Sequence, residues 1–163
     1  MSFALFDAPF PENSARVGFS GGQLERLSEK RDEASVEKAI ADLRARALVV
    51  GRGHMLLEEV DGVTGVMWRT FKEAEALGAQ IHEPVLLGYE ADGAPRFACF
   101  CDLDKDDPPN GYAVIDYRSV YIAGYLSDQD LGALAQGAAL VAWQQSHRFC
   151  SRCGAKSEPT DGG

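Results

Sequence analysis

Two stretches of this chain place apolar runs on either side of short turn sequences, and that pattern limits the folds open to it. "ALVVGRGHMLLEEV" (47–60) sets apolar runs at 47–50 and 55–57 around Gly51-Arg52-Gly53. "PVLLGYEADGAPRFACFCDL" (84–103) flanks Ala91-Asp92-Gly93 with two β-prone segments. The second is the clearer β-hairpin; the first reads as a hairpin or as two short strands.

Helical spacing occupies much of the rest. In "QLERLSEKRDEASVEKAIADLRARA" (23–47), Ser35 is a candidate N-cap, and Val36, Ala39, Ile40 and Leu43 mark one apolar face. "RTFKEAEALGAQ" (69–80) predicts a helix of two to three turns ending at Gly78. "YAVIDYRSVYIAGYLS" (112–127) reads as a further β-prone or irregular connection. The last long element is "SDQDLGALAQGAALVAWQQSH" (127–147), where Ser127 and Asp130 form a capping-box variant. Leu131, Leu134, Ala138, Val141 and Ala142 follow at helical spacing, and small residues from 133 to 139 allow another backbone to come close. The first twenty-two residues, with Pro9, Pro11 and Gly21-Gly22, read as an extended lead-in. Without a regular βαβ alternation, the expected class is α+β: a mixed, largely antiparallel sheet with flanking helices.

A chain of 163 residues can bury a core without covalent staples, so its four cysteines are not needed for folding. No apolar run reaches bilayer length and no basic residue precedes the apolar N-terminal positions, so a cytoplasmic location is expected. Close cysteine pairs in a reducing compartment point to metal or catalysis. A net charge of -9 repels phosphate backbones and anionic lipid and argues against nucleic-acid binding through a basic patch for this segment alone.

Cys150 and Cys153 form a C-x-x-C followed by Gly154, which frees the backbone for the positive φ of a metal-binding turn. Arg152 and Lys156 would offset thiolate charge. Free thiols in a tail are the alternative, and a redox role is weaker because the pair follows a helix rather than a strand. Cys99 and Cys101 share one side of a strand and would be able to face the same ion, although "RFACFCDL" reads as a buried strand with packed thiols. His147 is a spare ligand better placed as a helix-end cap. Asp102, Asp104 and Asp106 match the start of a calcium loop, but Asp107 stands where such a loop needs glycine and Ala113 where it needs glutamate. The pairs Gly51/Gly53 and Gly62/Gly65 are too short to cradle phosphate.

The small-residue helix reaching Ala142-Trp143, then His147-Arg148-Phe149-Cys150 and Cys153-Gly154-Ala155, with Glu158-Pro159 and Gly162-Gly163 beyond, resembles the junction of Nudix-family NADH pyrophosphatases. The resemblance spans the chain and is specific over about 138–163. It implies a degenerate Nudix-like N-terminal domain over 1–146 and the start of a four-cysteine zinc ribbon over 147–163. It also implies Cys150 and Cys153 as the first two ligands of a structural zinc, a homodimer, and Mg²⁺ or Mn²⁺ in a catalytic Nudix domain. The implied reaction is hydrolysis of NADH to AMP and reduced nicotinamide mononucleotide, with NAD-capped RNA as a substrate of some members. The second cysteine pair and the Nudix box are not found here. Around Glu58-Glu59, His54 and Met55 stand where the box needs Arg-Glu, and Gly62 falls one residue late. The chain alone is therefore expected to be inactive, with no catalytic residue of its own. A stand-alone acidic interaction domain, sharing a zinc site with a partner chain through its C-x-x-C, is the alternative.

Overall fold

Seven short strands form one mixed sheet in the computed structural model, which describes residues 17–60 and 63–158. Most of the predicted lead-in, Gly62 and the Pro159–Gly163 tail lie outside the described residues. The elements run α1 (Ser35–Ile40), β1 (Arg46–Val50), β2 (His54–Val60), β3 (Val63–Val66), β4 (Trp68–Arg69) and α2 (Phe71–Ala76). They continue with β5 (Val85–Tyr89), β6 (Pro95–Phe100), β7 (Tyr112–Asp116), α3 (Tyr117–Ala123) and α4 (Asp128–Ser146). The main path through the sheet is β3-β2-β1-β6-β5, with β4 paired to β1 and β7 to β2.

Both predicted hairpins form. Val50 faces Met55 across the first, and the Gly51 N–H donates to the His54 carbonyl at 2.8 Å. In the second, β5 and β6 pair antiparallel and the Glu90 N–H closes the turn on the Ala94 carbonyl at 2.9 Å. The hairpins are joined by parallel pairing of β1 with β6, from Arg46 opposite Arg96 to Val50 opposite Phe100. All other strand pairs are antiparallel, so the expected α+β class with a largely antiparallel sheet holds.

The strands read as nearly continuous apolar runs because both faces of the sheet are covered. Leu48, Val50, Met55, Leu57, Val85, Leu87, Ala98 and Phe100 point to one side, where Leu131, Leu134 and Val141 of α4 and Val120 of α3 meet them. Ala47, Val49, Leu56, Leu86, Phe97, Cys99 and Cys101 point to the other, against Ala39 of α1 and Ala74 of α2. Period-two alternation thus divides each strand between two cores. On the second face, Phe71 meets Phe97 edge-on with ring centroids 5.1 Å apart, an arrangement worth about 0.5–1.5 kcal/mol beyond area burial.

Helix ends follow local chemistry. Thr70 caps α2 in a reciprocal box: its hydroxyl accepts the Glu73 N–H at 3.2 Å, and the Glu73 carboxylate accepts the Thr70 N–H at 2.8 Å. Ser127 accepts the Asp130 N–H at the start of α4, while Asp130 also accepts the indole N–H of Trp68 at 3.0 Å, tying that helix to β4.

Three details differ from the sequence reading. Residues 117–123 form α3 rather than a β-prone connection, because the Asp116 carboxylate caps the Ser119 N–H at 2.9 Å and Val120 drops into the core. The α1 start is organised by Asp32, whose side chain accepts from both the Ala34 N–H and the Ser35 hydroxyl, so Ser35 is the first helical residue and Ala34 the N-cap. Helix α1 ends at Ile40, so Leu43 never joins its apolar face and stands 94% exposed.

Candidate functional site

Helix α4 delivers the chain to the cysteine pair. Its C-cap, His147, lies with Nδ1 3.0 Å from the Trp143 carbonyl and stacks its ring on the Trp143 indole, centroids 4.7 Å apart and planes 13° from parallel. This is the helix-end role expected for His147. Immediately after it the backbone folds into a small hairpin. The Ser157 N–H donates to the Arg148 carbonyl at 2.9 Å, Phe149 bridges to Lys156, and the Cys150 N–H donates to the Ala155 carbonyl at 2.8 Å.

The hairpin tip is a tight turn holding both cysteines. The Gly154 N–H donates to the Cys150 carbonyl at 2.9 Å, and Gly154 takes the left-handed φ of 73° expected of a glycine there. The Cys150 sulfur accepts the backbone N–H of Arg152, then that of Cys153, and also the Cys153 thiol; these donors hold its thiol below the ordinary value. Sulfur-directed N–H groups stabilise a thiolate, the form that binds metal. Cys150 and Cys153 are both exposed. Chemically this is a pair of exposed thiols on one turn, two ligands where a closed structural zinc site needs four.

The other sequence candidates do not complete it. Among the described residues, no three or more His, Cys, Asp or Glu side chains converge where a metal ion would sit. Cys99 and Cys101 share a face as expected, but that face is buried against α2. The Cys101 thiol donates to the Leu77 carbonyl at 3.4 Å, and burial pushes the Cys99 thiol up to about 12. Both behave as core residues. Asp104 spends a carboxylate oxygen on the Asp106 N–H within an exposed loop. Glu58 and Glu59 lie on β2 rather than on a helix; Glu58 meets Arg69 at 3.2 Å, and Met55 is fully buried. No catalytic carboxylate pair is assembled from them.

One feature has no local signal in the sequence. The connection between α2 and β5 folds back beside the cysteine hairpin: Arg148 pairs with Glu83 at 2.8 Å, and Gln144 donates to the Glu83 carbonyl at 3.3 Å. Between these parts runs an open groove of about 130 Å³, lined by Trp143, His147, Arg148, Phe149 and Lys156 among others. The contacts span more than sixty residues of sequence, so only the folded chain exposes them.

The β1-to-α4 arrangement coincides with a known family. The model of the NADH pyrophosphatase-like rudimentary NUDIX domain matches residues 44–143, from just before β1 to Trp143. The chain belongs to this family. The match covers all seven strands of the sheet together with α2, α3 and most of α4, and stops short of the cysteine hairpin. The chain is also similar to a protein of Schizosaccharomyces pombe (strain 972 / ATCC 24843) described as an NAD-capped RNA hydrolase, with 35% identity over 63 residues. That similarity takes in 38% of this chain and 17% of the relative's length. Among the described residues, no helix of the rudimentary NUDIX domain or of its flanks is long and apolar enough to cross a membrane.

Proposed function

We propose that this chain is the non-catalytic N-terminal part of a Nudix hydrolase that cleaves the diphosphate of NAD(H), releasing AMP and nicotinamide mononucleotide in the matching redox state. Its tasks would be dimer assembly and shaping of the substrate cleft. The single observation that carries the reading is the family match over residues 44–143, with the Cys150/Cys153 pair beginning seven residues beyond its end. Cys150 and Cys153 would supply two of four ligands to a structural zinc, and a second cysteine pair from further polypeptide would supply the others. Catalytic Mg²⁺ or Mn²⁺ would belong to a separate Nudix domain, since Glu58 and Glu59 on β2 do not form a metal-binding box. NAD-capped RNA joins the substrates through the similarity to a relative of that description. A cytoplasmic location would keep the exposed thiols reduced and ready for metal.

The test is AMP release from NADH with Mg²⁺, and bound zinc, in this chain and in a longer polypeptide containing it. Activity and stoichiometric zinc are expected only in the longer protein. Stoichiometric zinc held by this chain together with an unrelated partner, and no activity in the longer form, would favour the interaction-domain alternative.

A further inference from the structure

An open cavity of about 190 Å³ lies where the chain enters the described structure, lined by Val17, Phe19, Tyr121 and Leu131 among others. Its surroundings are apolar and exposed: Val17, Phe19, Tyr121, Ile122 and Tyr125 all present large side chains to solvent. On α3, Arg118, Tyr121 and Ile122 stand at helical spacings of three and four and share one face, opposite the fully buried Val120. The Phe19 ring lies against Tyr121 with centroids 5.1 Å apart, yet Phe19 takes a left-handed φ of 70° and remains 40% exposed. A bulky residue in that conformation is strained, and such strain persists where surrounding contacts over-determine it. The exposure of both rings leaves the outer side of the pair without cover.

We propose that residues 3–10 of the same chain pack on this face of α3 and cover it. That segment, "FALFDAPF", lies outside the described residues and carries Phe3, Leu5, Phe6 and Phe10 around a single charge, Asp7. Its point of departure is fixed. The Ser20 N–H and hydroxyl both donate to the Val17 carbonyl, at 3.2 and 2.6 Å, the Gly22 backbone lies against Gly132 of α4, and Glu25 pairs with Tyr89. Val17 therefore sits beside Tyr121. Phe10 is seven residues before Val17, a length of chain that extends up to about 25 Å, whereas α3 is only about 10 Å long. Arg118 is the one charged side chain from Tyr117 to Ala123, and Asp7 supplies its counterpart. A second copy fits this face less well. A helix this short offers a surface of roughly 10 Å by 10 Å, a small part of the roughly 800 Å² per partner that a stable protein contact buries. The inference does not rest on the activity proposed above, and it leaves dimer assembly to another surface.

The test is photo-cross-linking of the whole chain with p-benzoylphenylalanine in place of Phe6, the products being mapped by mass spectrometry. An equal mixture of ¹⁴N- and ¹⁵N-labelled chains separates links within a chain from links between chains. Links from position 6 to residues 117–125 of the same chain are expected. Ile122→Asp should lower their yield about tenfold, the order of effect of removing one apolar side chain from a contact. Arg118→Glu should also lower it, and Asp7→Lys in the same chain should restore it. Arg118 and Ile122 are exposed, so neither substitution enters the core, and far-UV circular dichroism checks the fold of each variant. Links confined to other parts of the molecule overturn the proposal. So do links to 117–125 that carry the mixed isotope pattern of two chains, which would assign the face to a second copy. A yield that Ile122→Asp leaves unchanged overturns it as well.

Discussion

Two glycines five residues apart on α4 should respond differently to the same substitution. A Cβ built at Gly132 lands on the Gly22 backbone, 2.5 Å from its Cα and closer still to its nitrogen. A Cβ at Gly137 meets the Ala98 Cβ at 3.0 Å and the Leu48 methyls at 3.3 and 3.4 Å. Replacing a helical glycine with alanine gains about 1 kcal/mol of propensity at either position. At Gly137 the tight contacts are with side-chain atoms that can give by a few tenths of an ångström, so the gain and the crowding should roughly cancel. At Gly132 the obstacle is backbone. Overpacking costs about 1–3 kcal/mol, and the easiest relief is for residues 17–25 to lift away. That would release the pairing of Glu25 with Tyr89, whose two N–H···O bonds measure 2.8 and 3.0 Å. The net expectation for Gly132→Ala is a loss of up to about 2 kcal/mol, equivalent to a fall of up to roughly 8 °C in Tm for a domain of this size. Urea titration of both variants measures it, and protease cleavage within 17–25 should accelerate in Gly132→Ala only. A Gly132→Ala variant more stable than the parent, with unchanged proteolysis, would refute the backbone contact.

Thiol chemistry should divide the four cysteines. Iodoacetamide at neutral pH should modify Cys150 first and Cys153 next, leaving Cys99 and Cys101 unlabelled until the chain unfolds; mass spectrometry of timed samples reads this directly. Thr70→Ala removes both halves of the α2 capping box and should cost about 1 kcal/mol in denaturant titrations. Acid should weaken the same helix start. The Thr70 N–H and hydroxyl hold the Glu73 carboxyl below its usual range, so its contribution is present above the unfolded-state pKa and is lost as pH falls through the lower folded-state value. Asp116, held down by the Ser119 hydroxyl and N–H at the start of α3, has the same sign. The Glu73→Gln and Asp116→Asn variants should therefore show shallower acid-side slopes of stability against pH.

Much of the sheet was legible because its signals are local. The two hairpins announce themselves through apolar runs meeting at Gly51-Arg52-Gly53 and Ala91-Asp92-Gly93, and α2 through a helix-forming run closed by Gly78. What stayed hidden depends on partners remote in sequence. The parallel pairing of β1 with β6 joins residues fifty positions apart and leaves no turn signature. In "YRSVYIA", aromatic and β-branched residues favour a strand, yet the Asp116 cap and the burial of Val120 make a helix; the D-x-x-S cap and Gly124 were the available signals. The cysteine pair was visible as a motif, and the sulfur-directed N–H groups that give it chemical meaning fit the glycine after it. The groove beside it was not visible, since Glu83 meets Arg148 only through the tertiary fold.

The most direct test of the proposed role is a paired measurement of zinc content and AMP release from NADH, in a longer polypeptide containing this chain and in its Cys150→Ser/Cys153→Ser variant. Bound zinc near one per chain together with AMP release is expected in the first. Loss of zinc with impaired AMP release is expected in the second. Full zinc occupancy in the double variant, or NADH hydrolysis by the 163-residue chain alone, would contradict the assignment of these two cysteines to a structural half-site ahead of a separate catalytic domain.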